Sequence, residues 1–253
     1  MLDQITPLIL TYNEEANIAR TLSALQWADQ VFIIDSHSTD TTLAICNQFD
    51  NVTVIQHPFS SHSEQSNFAL SQDIKTDWVL SLDADYVLSE ALIRELRELT
   101  PARNVQGYRI QFDYLINGKA LRGSLYPART SLYRKKSAHY VQDGHAQRVV
   151  IDGEVGSLKA KILHDDRKSF SRWLGSQWNY AKLETEKLKH QSWSELSLPD
   201  KTRKIAISPL IVLPYTLIIK GLILNGVPGL IYTGQRFIAE SALQFARLKS
   251  LFS

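Results

Sequence analysis

Asp83 and Asp85 stand one residue apart, directly after the apolar run Trp78-Val79-Leu80-Ser81-Leu82. Two carboxylates so close repel each other unless a cation lies between them. Mg2+ and Mn2+ are hard ions that take one or two carboxylates together with substrate phosphates. A diphosphate held through a divalent metal is therefore the chemistry that suits the pair. Helix-capping acids can produce the same spacing, so it is the place of the pair, after a buried strand, that favours the functional reading.

Other polar groups follow apolar runs in the same way. Thr11-Tyr12-Asn13-Glu14 comes after Ile5–Leu10, and Asp35-Ser36 after Val31–Ile34. Asp35 could accept a hydrogen bond from a ring N–H such as that of uracil, or simply form a turn. Asn13 and Glu14 could meet a nucleoside or cap a helix. Taken singly none of these decides; their common position does.

Those residues need elements to place them. Ile5–Leu10, Val31–Ile34, Val52–Ile55 and Trp78–Leu82 predict four short strands. Helical spacing recurs between and after them: Ile18, Leu22 and Leu25; Ala44, Ile45 and Phe49; Glu64 to Ser71; and, behind a Ser89 cap, Leu92, Ile93, Leu96 and Leu99. The alternation predicts an α/β fold with a mainly parallel sheet and helices on both faces. Such sheets bind ligands beyond the carboxyl ends of their strands, where the polar groups fall. Gly107–Asp113 and Thr130–Tyr133 predict further strands, with Asn117-Gly118-Lys119 as a turn.

Composition narrows the function classes. The chain has 253 residues, 44% hydrophobic and 21% charged, enough for a large core in one or two domains. Its single cysteine, Cys46, excludes an intrachain disulfide or a cysteine-based zinc site. Residues 1–100 carry 4 Lys+Arg against 15 Asp+Glu, and the remainder 24 against 11. An acidic site followed by a basic surface for phosphate or anionic lipid fits that asymmetry, as does scattered solvated charge. No Gly-x-Gly-x-x-Gly follows the first run and no Gly-x-x-x-x-Gly-Lys-Ser/Thr occurs, which argues against dehydrogenases and P-loop NTPases. No nucleic-acid module is recognisable, so no nucleic-acid partner is expected. The run before Tyr12 has no basic residues ahead of it, so a cytoplasmic location is expected.

The ordered set Pro7-Leu8-Ile9-Leu10-Thr11-Tyr12-Asn13-Glu14-Glu15, Val31-Phe32-Ile33-Ile34-Asp35-Ser36-His37-Ser38-Thr39-Asp40-Thr41-Thr42 and Asp83-Ala84-Asp85 resembles the family 2 glycosyltransferases of the GT-A fold, a Rossmann-like architecture. Within them it is most similar to the lipopolysaccharide-core glucosyltransferase group. The resemblance implies a nucleotide-sugar donor, UDP-linked by preference, a divalent metal and inversion at the anomeric carbon: a metal-dependent inverting hexosyltransferase. It implies that Thr11, Asn13, Glu14, Asp35 and Ser36 line the nucleoside pocket and that Asp83 and Asp85 hold ribose, metal and diphosphate. Gln65 and Asn67 occupy the helix start where relatives place a basic residue near the donor. A late histidine sometimes completes the metal shell, which makes His164 a candidate ligand, and Arg167 and Lys168 candidates for the leaving phosphates.

An inverting transfer needs a base for the acceptor hydroxyl. Where relatives carry Val-His-Glu this chain has Gly144-His145-Ala146. Asp143 is the nearest carboxylate and the expected base, with His145 second; a surface turn around Gly144 is the plainer alternative.

Ser169–His190 has helical character. Beyond it Ile205–Ile219 and Gly221–Gln235 are two uncharged runs of 15 residues separated by Lys220. Neither reaches the roughly 20 residues of a spanning helix, and Pro209, Pro214 and Pro228 should kink or break a long one. A pair of helices lying in the cytoplasmic leaflet is the favoured reading, over a span with a snorkelling lysine or a core-covering appendage. Lys220-Gly221-Leu222-Ile223-Leu224-Asn225-Gly226-Val227-Pro228-Gly229 is similar to a membrane-proximal signature of related transferases. The expected domains are therefore a glycosyltransferase domain over 1–165 and a helical, membrane-interface extension over 166–253. The expected function is transfer to a lipid-linked glycan acceptor in lipopolysaccharide or related envelope synthesis, by a protein peripherally bound to the inner membrane face. A polyprenyl-phosphate acceptor and a non-catalytic nucleotide-sugar-binding module are the alternatives.

Overall fold

A computed structural model of the chain describes residues 1–143 and 146–250, with Asp143 and Ala146 described by backbone alone. The described chain divides into two compact units. One comprises Met1–Leu115, Tyr126–Gln142 and Gln147–Arg167; the other is built mainly from Lys168 onward and includes the segment Ile116–Leu125.

The first unit is a mixed α/β layer of GT-A type. Its elements are β1 (Ile5–Thr11), α1 (Ile18–Ser23), β2 (Val31–Asp35), α2 (Thr42–Cys46), β3 (Val52–Gln56), α3 (His62–Ser71), β4 (Trp78–Asp83), β5 (Tyr86–Leu88), α4 (Glu90–Glu98), β6 (Val105–Ile116), β8 (Arg129–Arg134), β9 (Ala138–Asp143), β10 (Ala146–Ile151) and β11 (Glu154–His164), while the two-residue β7 (Lys119–Ala120) falls in the segment of the second unit. The principal sheet runs β3-β2-β1-β4-β8-β6-β11-β5, and β9 and β10 form a separate ribbon. Strands β1 to β4 are mutually parallel, whereas β8 is antiparallel to both β4 and β6.

Strand periodicity explains the two-sided burial. Ile5 and Ile9 of β1, Val31 and Ile33 of β2, and Trp78, Leu80 and Leu82 of β4 face one core with Ile18, Leu22, Cys46, Leu92 and Leu96 from the helices. The intervening Leu8, Phe32, Ile34 and Val79 face the other, against Ala69 and Leu70 of α3 and Tyr140 of β9. The sheet grows outward from β1 toward β2 on one side and β4 on the other. Their carboxyl ends therefore flank the point where the winding reverses, the place where open α/β sheets bind ligands.

Several boundaries differ from expectation for local reasons. Helix α3 starts at His62, because the Ser61 hydroxyl accepts a hydrogen bond from the Glu64 amide at 3.2 Å. Helices α1 and α2 are single turns that end before Leu25 and Phe49. The predicted turn at Asn117-Gly118 is present, both residues adopting positive φ (50° and 75°).

The second unit is helical: α5 (Phe170–His190), α6 (Leu198–Lys204), α7 (Ser208–Pro214), a π-helical turn at Tyr215–Ile219, a 3-10 turn at Leu222–Asn225 and α8 (Val227–Lys249). Ser169 caps α5, accepting from the Arg172 amide at 3.3 Å. Pro209 and Pro228 sit in the first turns of α7 and α8, where a missing N–H costs nothing, and Pro214 ends α7. No described helix is long and apolar enough to cross a membrane. Between Ser208 and Thr233 many large aliphatic side chains stay exposed. Small or polar Ser208, Thr216, Gly229 and Thr233 are buried together with Val212, Leu222 and Tyr232, whereas Leu210, Ile218, Ile219, Ile223, Leu224, Val227 and Leu230 are each more than half exposed. A Cβ on Gly229 would lie 1.9 Å from the Leu222 carbonyl oxygen, so only glycine permits this tight packing of the 3-10 turn on α8.

Candidate active site

The loops after β1 and β2 are laced together. Thr11, on the last residue of β1, donates its hydroxyl to Asp35 Oδ1 at 3.1 Å. Asp35 also accepts from the Ser38 amide at 2.8 Å, the Ser38 hydroxyl at 2.5 Å and Gln56 Nε2 at 3.3 Å, and it is fully buried. Four internal donors fill the carboxylate, so Asp35 does not offer the open acceptor expected for a uracil ring; it fixes the floor on which the two loops rest. Asn13, in the left-handed region at φ 54°, accepts at its Oδ1 from the Thr39 and Asp40 amides at 2.7 and 3.3 Å. The Glu14 amide donates to Thr42 Oγ1 at 2.7 Å, and its carboxylate accepts from Asn17 Nδ2 at 2.9 Å. Tyr12 stands 56% exposed at the head of this loop.

Gln65 is buried and joins three pieces of chain. Its amide donates to Ser36 Oγ at 3.0 Å and to the His57 carbonyl at 3.1 Å, while its oxygen meets His57 Nδ1 at 2.8 Å. Gln65 and Ser36 thus hold the β3–α3 loop to the end of β2. Asn67 pairs in both directions with the Tyr140 backbone, at 2.9 Å each way, and so sets the position of β9.

The acidic pair divides its work. Asp83 Oδ2 accepts from Arg129 Nη1 at 3.1 Å. Asp85 turns the other way, with its Oδ2 3.1 Å from His164 Nε2. The turn between them is pinned by Thr21, which donates to the Ala84 carbonyl at 2.7 Å, and by the Asp165 amide on the Asp85 carbonyl at 3.1 Å. Strand β5 pairs antiparallel with β11, His164 opposite Tyr86, and this delivers the histidine to the aspartate. Rings of Tyr86, Tyr114 and Tyr126 surround His164 at centroid distances of 5.3, 4.5 and 4.5 Å.

The residues present fit a divalent cation. His164 Nδ1 is buried with no hydrogen-bond partner among the described residues, so the ring is oriented by Asp85 and its aromatic neighbours. An oxygen and a nitrogen 3.1 Å apart match two adjacent ligands of an octahedral ion, whose bonds of about 2.1 Å set such atoms about 3 Å apart. The expected set of three is not gathered. Among the described residues no cluster of three His, Cys, Asp or Glu side chains forms, because Arg129 holds Asp83 aside.

Arg167 also departs from expectation. Its Nε and Nη2 donate to Asp165 Oδ2 at 3.0 and 2.8 Å, and Arg20 Nη1 donates to the same oxygen at 2.6 Å. Asn17 receives the Arg167 amide at 2.9 Å and donates to Asp166 Oδ1 at 2.9 Å. Arg167 therefore clamps the loop carrying His164. The expected base Asp143 ends β9 with only its backbone described, and His145 lies outside the described residues.

Reading the sequence missed Arg129, Tyr86 and Tyr126. Arg129 Nη1 donates to the Tyr86 hydroxyl at 2.9 Å as well as to Asp83, and the two tyrosine hydroxyls hydrogen-bond each other. Burial, reinforced by Asp83, pushes the Tyr126 phenol up to about 12 and Tyr86 well above the usual range. Only Tyr86 carried a signal, its place beside Asp85. Arg129 reaches the site through antiparallel β4–β8 pairing, in which Leu80 faces Leu132.

Comparison with known proteins places this geometry. The sequence model of Glycosyl transferase family 2 matches residues 8–148. An uncharacterized glycosyltransferase of Rickettsia felis is 34% identical over 145 residues, covering 55% of this chain and 50% of that protein. The lipopolysaccharide core biosynthesis glycosyltransferase LpsC of Rhizobium meliloti is 27% identical over 173 residues, covering 63% of this chain and 62% of LpsC. The chain spans about half the length of the rickettsial relatives it matches. Residues 1–349 of S. aureus TarS align over 98% of this chain and 91% of theirs, at 15% identity and a TM-score of 0.49. The family match covers more than half of the sequence and includes Thr11, Asp35, Asp83 and Asp85, and the chain belongs to the family 2 glycosyltransferases.

Proposed function

We propose that this glycosyltransferase moves a sugar, with inversion, from a nucleoside-diphosphate donor, UDP-linked by preference, to a lipid-linked glycan in envelope or lipopolysaccharide core synthesis. The observation that carries the reading is the Asp85–His164 pair at the switch point of the sheet, with donor atoms 3.1 Å apart. Asp85 and His164 would hold Mn2+ or Mg2+, which when bound neutralises charge on a departing diphosphate. Asp83 lies beside them for ribose or phosphate. The laced loops bearing Thr11, Asn13, Glu14, Asp35 and Ser36, stiffened from behind by Gln65, would receive the nucleoside, with Tyr12 as its stacking face. Asp143, at the end of β9, would take the proton of the acceptor hydroxyl, and His145 is the second candidate.

The acceptor side rests on the helical unit. Its outward-facing aliphatic side chains support peripheral attachment to a membrane, which in this reading is the cytoplasmic face. The similarity to LpsC supports a lipopolysaccharide-type acceptor. A panel of UDP-, GDP- and dTDP-sugars assayed for donor binding and hydrolysis, with Mn2+, with Mg2+ and with EDTA, tests the donor half. Binding of none of them in any metal would overturn the reading, and binding without turnover would leave a nucleotide-sugar-binding module.

A further inference from the structure

Arg129 is held on one side and open on the other. Its Nη1 group supplies all the hydrogen bonds it makes among the described residues: to Asp83 Oδ2 at 3.1 Å, to the Tyr86 hydroxyl at 2.9 Å and, at 3.5 Å, to Tyr126. A guanidinium has five N–H donors in a planar fork. Nε–H and both Nη2 donors therefore have no acceptor among the described residues. The side chain as a whole is 30% exposed. Asp83, its partner, is 43% exposed and sits two residues from Asp85.

A guanidinium fixed at Nη1, with two adjacent N–H edges to spare, is arranged for bidentate contact with an oxyanion. Two other arginines of this end are turned to a protein carboxylate instead. Arg167 and Arg20 are both engaged on Asp165. We propose that Arg129 is a donor-phosphate contact, a cation that grips a non-bridging oxygen of the nucleoside diphosphate and stabilises it as leaving group. Its tyrosine anchors are uncharged and Asp83 is the one carboxylate it pairs with among the described residues, so the pair presents a nearly neutral edge to which a diphosphate adds without meeting two bare carboxylates.

The inference rests on the nucleotide-donor reading above, and its test separates the two. UDP and uridine are titrated calorimetrically, with Mn2+, into the wild-type chain and into Arg129→Met and Arg129→Lys. The expected result is UDP affinity at least about tenfold weaker in Arg129→Met, uridine affinity within twofold of wild type, and partial recovery of UDP binding in Arg129→Lys. An unchanged ratio of UDP to uridine affinity, in variants that melt cooperatively, would reduce Arg129 to a structural partner of Asp83 and overturn the proposal. Equal loss of both ligands would also overturn it, since that outcome means a deformed pocket. Failure of wild type to bind UDP or any other nucleoside diphosphate would instead overturn the donor reading, and this proposal with it.

Discussion

His164 Nε2 approaches Asp85 Oδ2 to 3.1 Å although 79 residues separate them in sequence. Strand β11 brings the histidine to the end of the sheet, and pairing with β5 sets it against the turn that follows β4. The contact is reinforced by packing, since three tyrosine rings wall in the imidazole. Replacing Asp85 with Asn, or His164 with Phe, should lower transfer by about 100-fold or more, the usual loss when a charge-stabilising group leaves an active site. Mn2+ binding followed by electron paramagnetic resonance should weaken in parallel. Wild-type Mn2+ affinity in both variants would remove the pair from the metal site.

The Asp165 clamp supports that histidine from behind. One buried oxygen of Asp165 accepts from both Arg20 and Arg167, and the Asp165 carbonyl accepts from Arg20 Nη2 at 2.7 Å. Both guanidinium groups are partly exposed, at 27% and 50%, so solvent offsets much of the attraction. Asp165→Asn should cost about 2 kcal/mol in urea unfolding, from lost charge-assisted hydrogen bonds. It should also reduce turnover more than donor affinity, because the loop it holds bears His164. A variant with native turnover would show that the clamp does not position the histidine.

How much of this was legible depends on how local each signal is. Strands β1, β2 and β4 announce themselves as apolar runs, since both faces of the sheet are covered there and nearly every residue of such a strand can be apolar, whereas the edge strand β3 is only half-buried. The polar residues that end them, Thr11, Asp35 and Asp83, were legible for the same reason. Pairing is not local. Arg129 shows no motif, and its meeting with Asp83 depends on the register of β4 against β8. Strand β5 has three residues, too few to carry a period. Asp35 was read as an outward acceptor because sequence cannot count donors; Thr11, Ser38 and Gln56 converge on it only after folding. In the helical unit the pairing of Arg203 and Arg247 likewise has no local signal. Arg203 is bound by Glu240 and Asp200, and Arg247 donates to the Arg203 and Lys204 carbonyls.

High pH should unfold the first unit. Burial, then the charge of Asp35, pushes the Cys46 thiol up to about 11 from an ordinary 9.0. Burial likewise holds the Tyr126 phenol at about 12 against 10.0. Both groups favour the neutral form in the folded state, so folded protein binds more protons than unfolded across that window. Their contribution is therefore intact below pH 9 and lost as pH rises toward 12, on the order of a few kcal/mol in all. Urea midpoints at pH 8, 9.5 and 11 should fall in that order, and a flat series would contradict the assignment. Cys46, fully buried, should react with a thiol reagent at pH 8 only on unfolding.

The exposed aliphatic side chains between Ser208 and Thr233 make the last prediction. Ile218, Ile219 and Leu224 are 69, 71 and 67% exposed, whereas Thr216 is buried and donates its hydroxyl to the Val212 carbonyl at 2.7 Å. In water that arrangement wastes the apolar area it could bury; against lipid it recovers roughly 25 cal/mol per Å2. Lys220 stands at the junction of the two turns, its ammonium 5.7 Å from the Tyr215 ring centroid, where a cation can meet lipid phosphate. Wild-type protein should float with vesicles of phosphatidylethanolamine and phosphatidylglycerol. Ile218→Asp with Leu224→Asp should cut binding by more than about tenfold, since each change removes an inserted side chain and adds a charge. Lys220→Gln should lower binding modestly and flatten its salt dependence. The double variant should keep the thermal midpoint of wild type, because neither side chain packs in the core. Flotation unchanged by the double substitution would mean that lipid does not cover this face, whatever the fate of the nucleotide site.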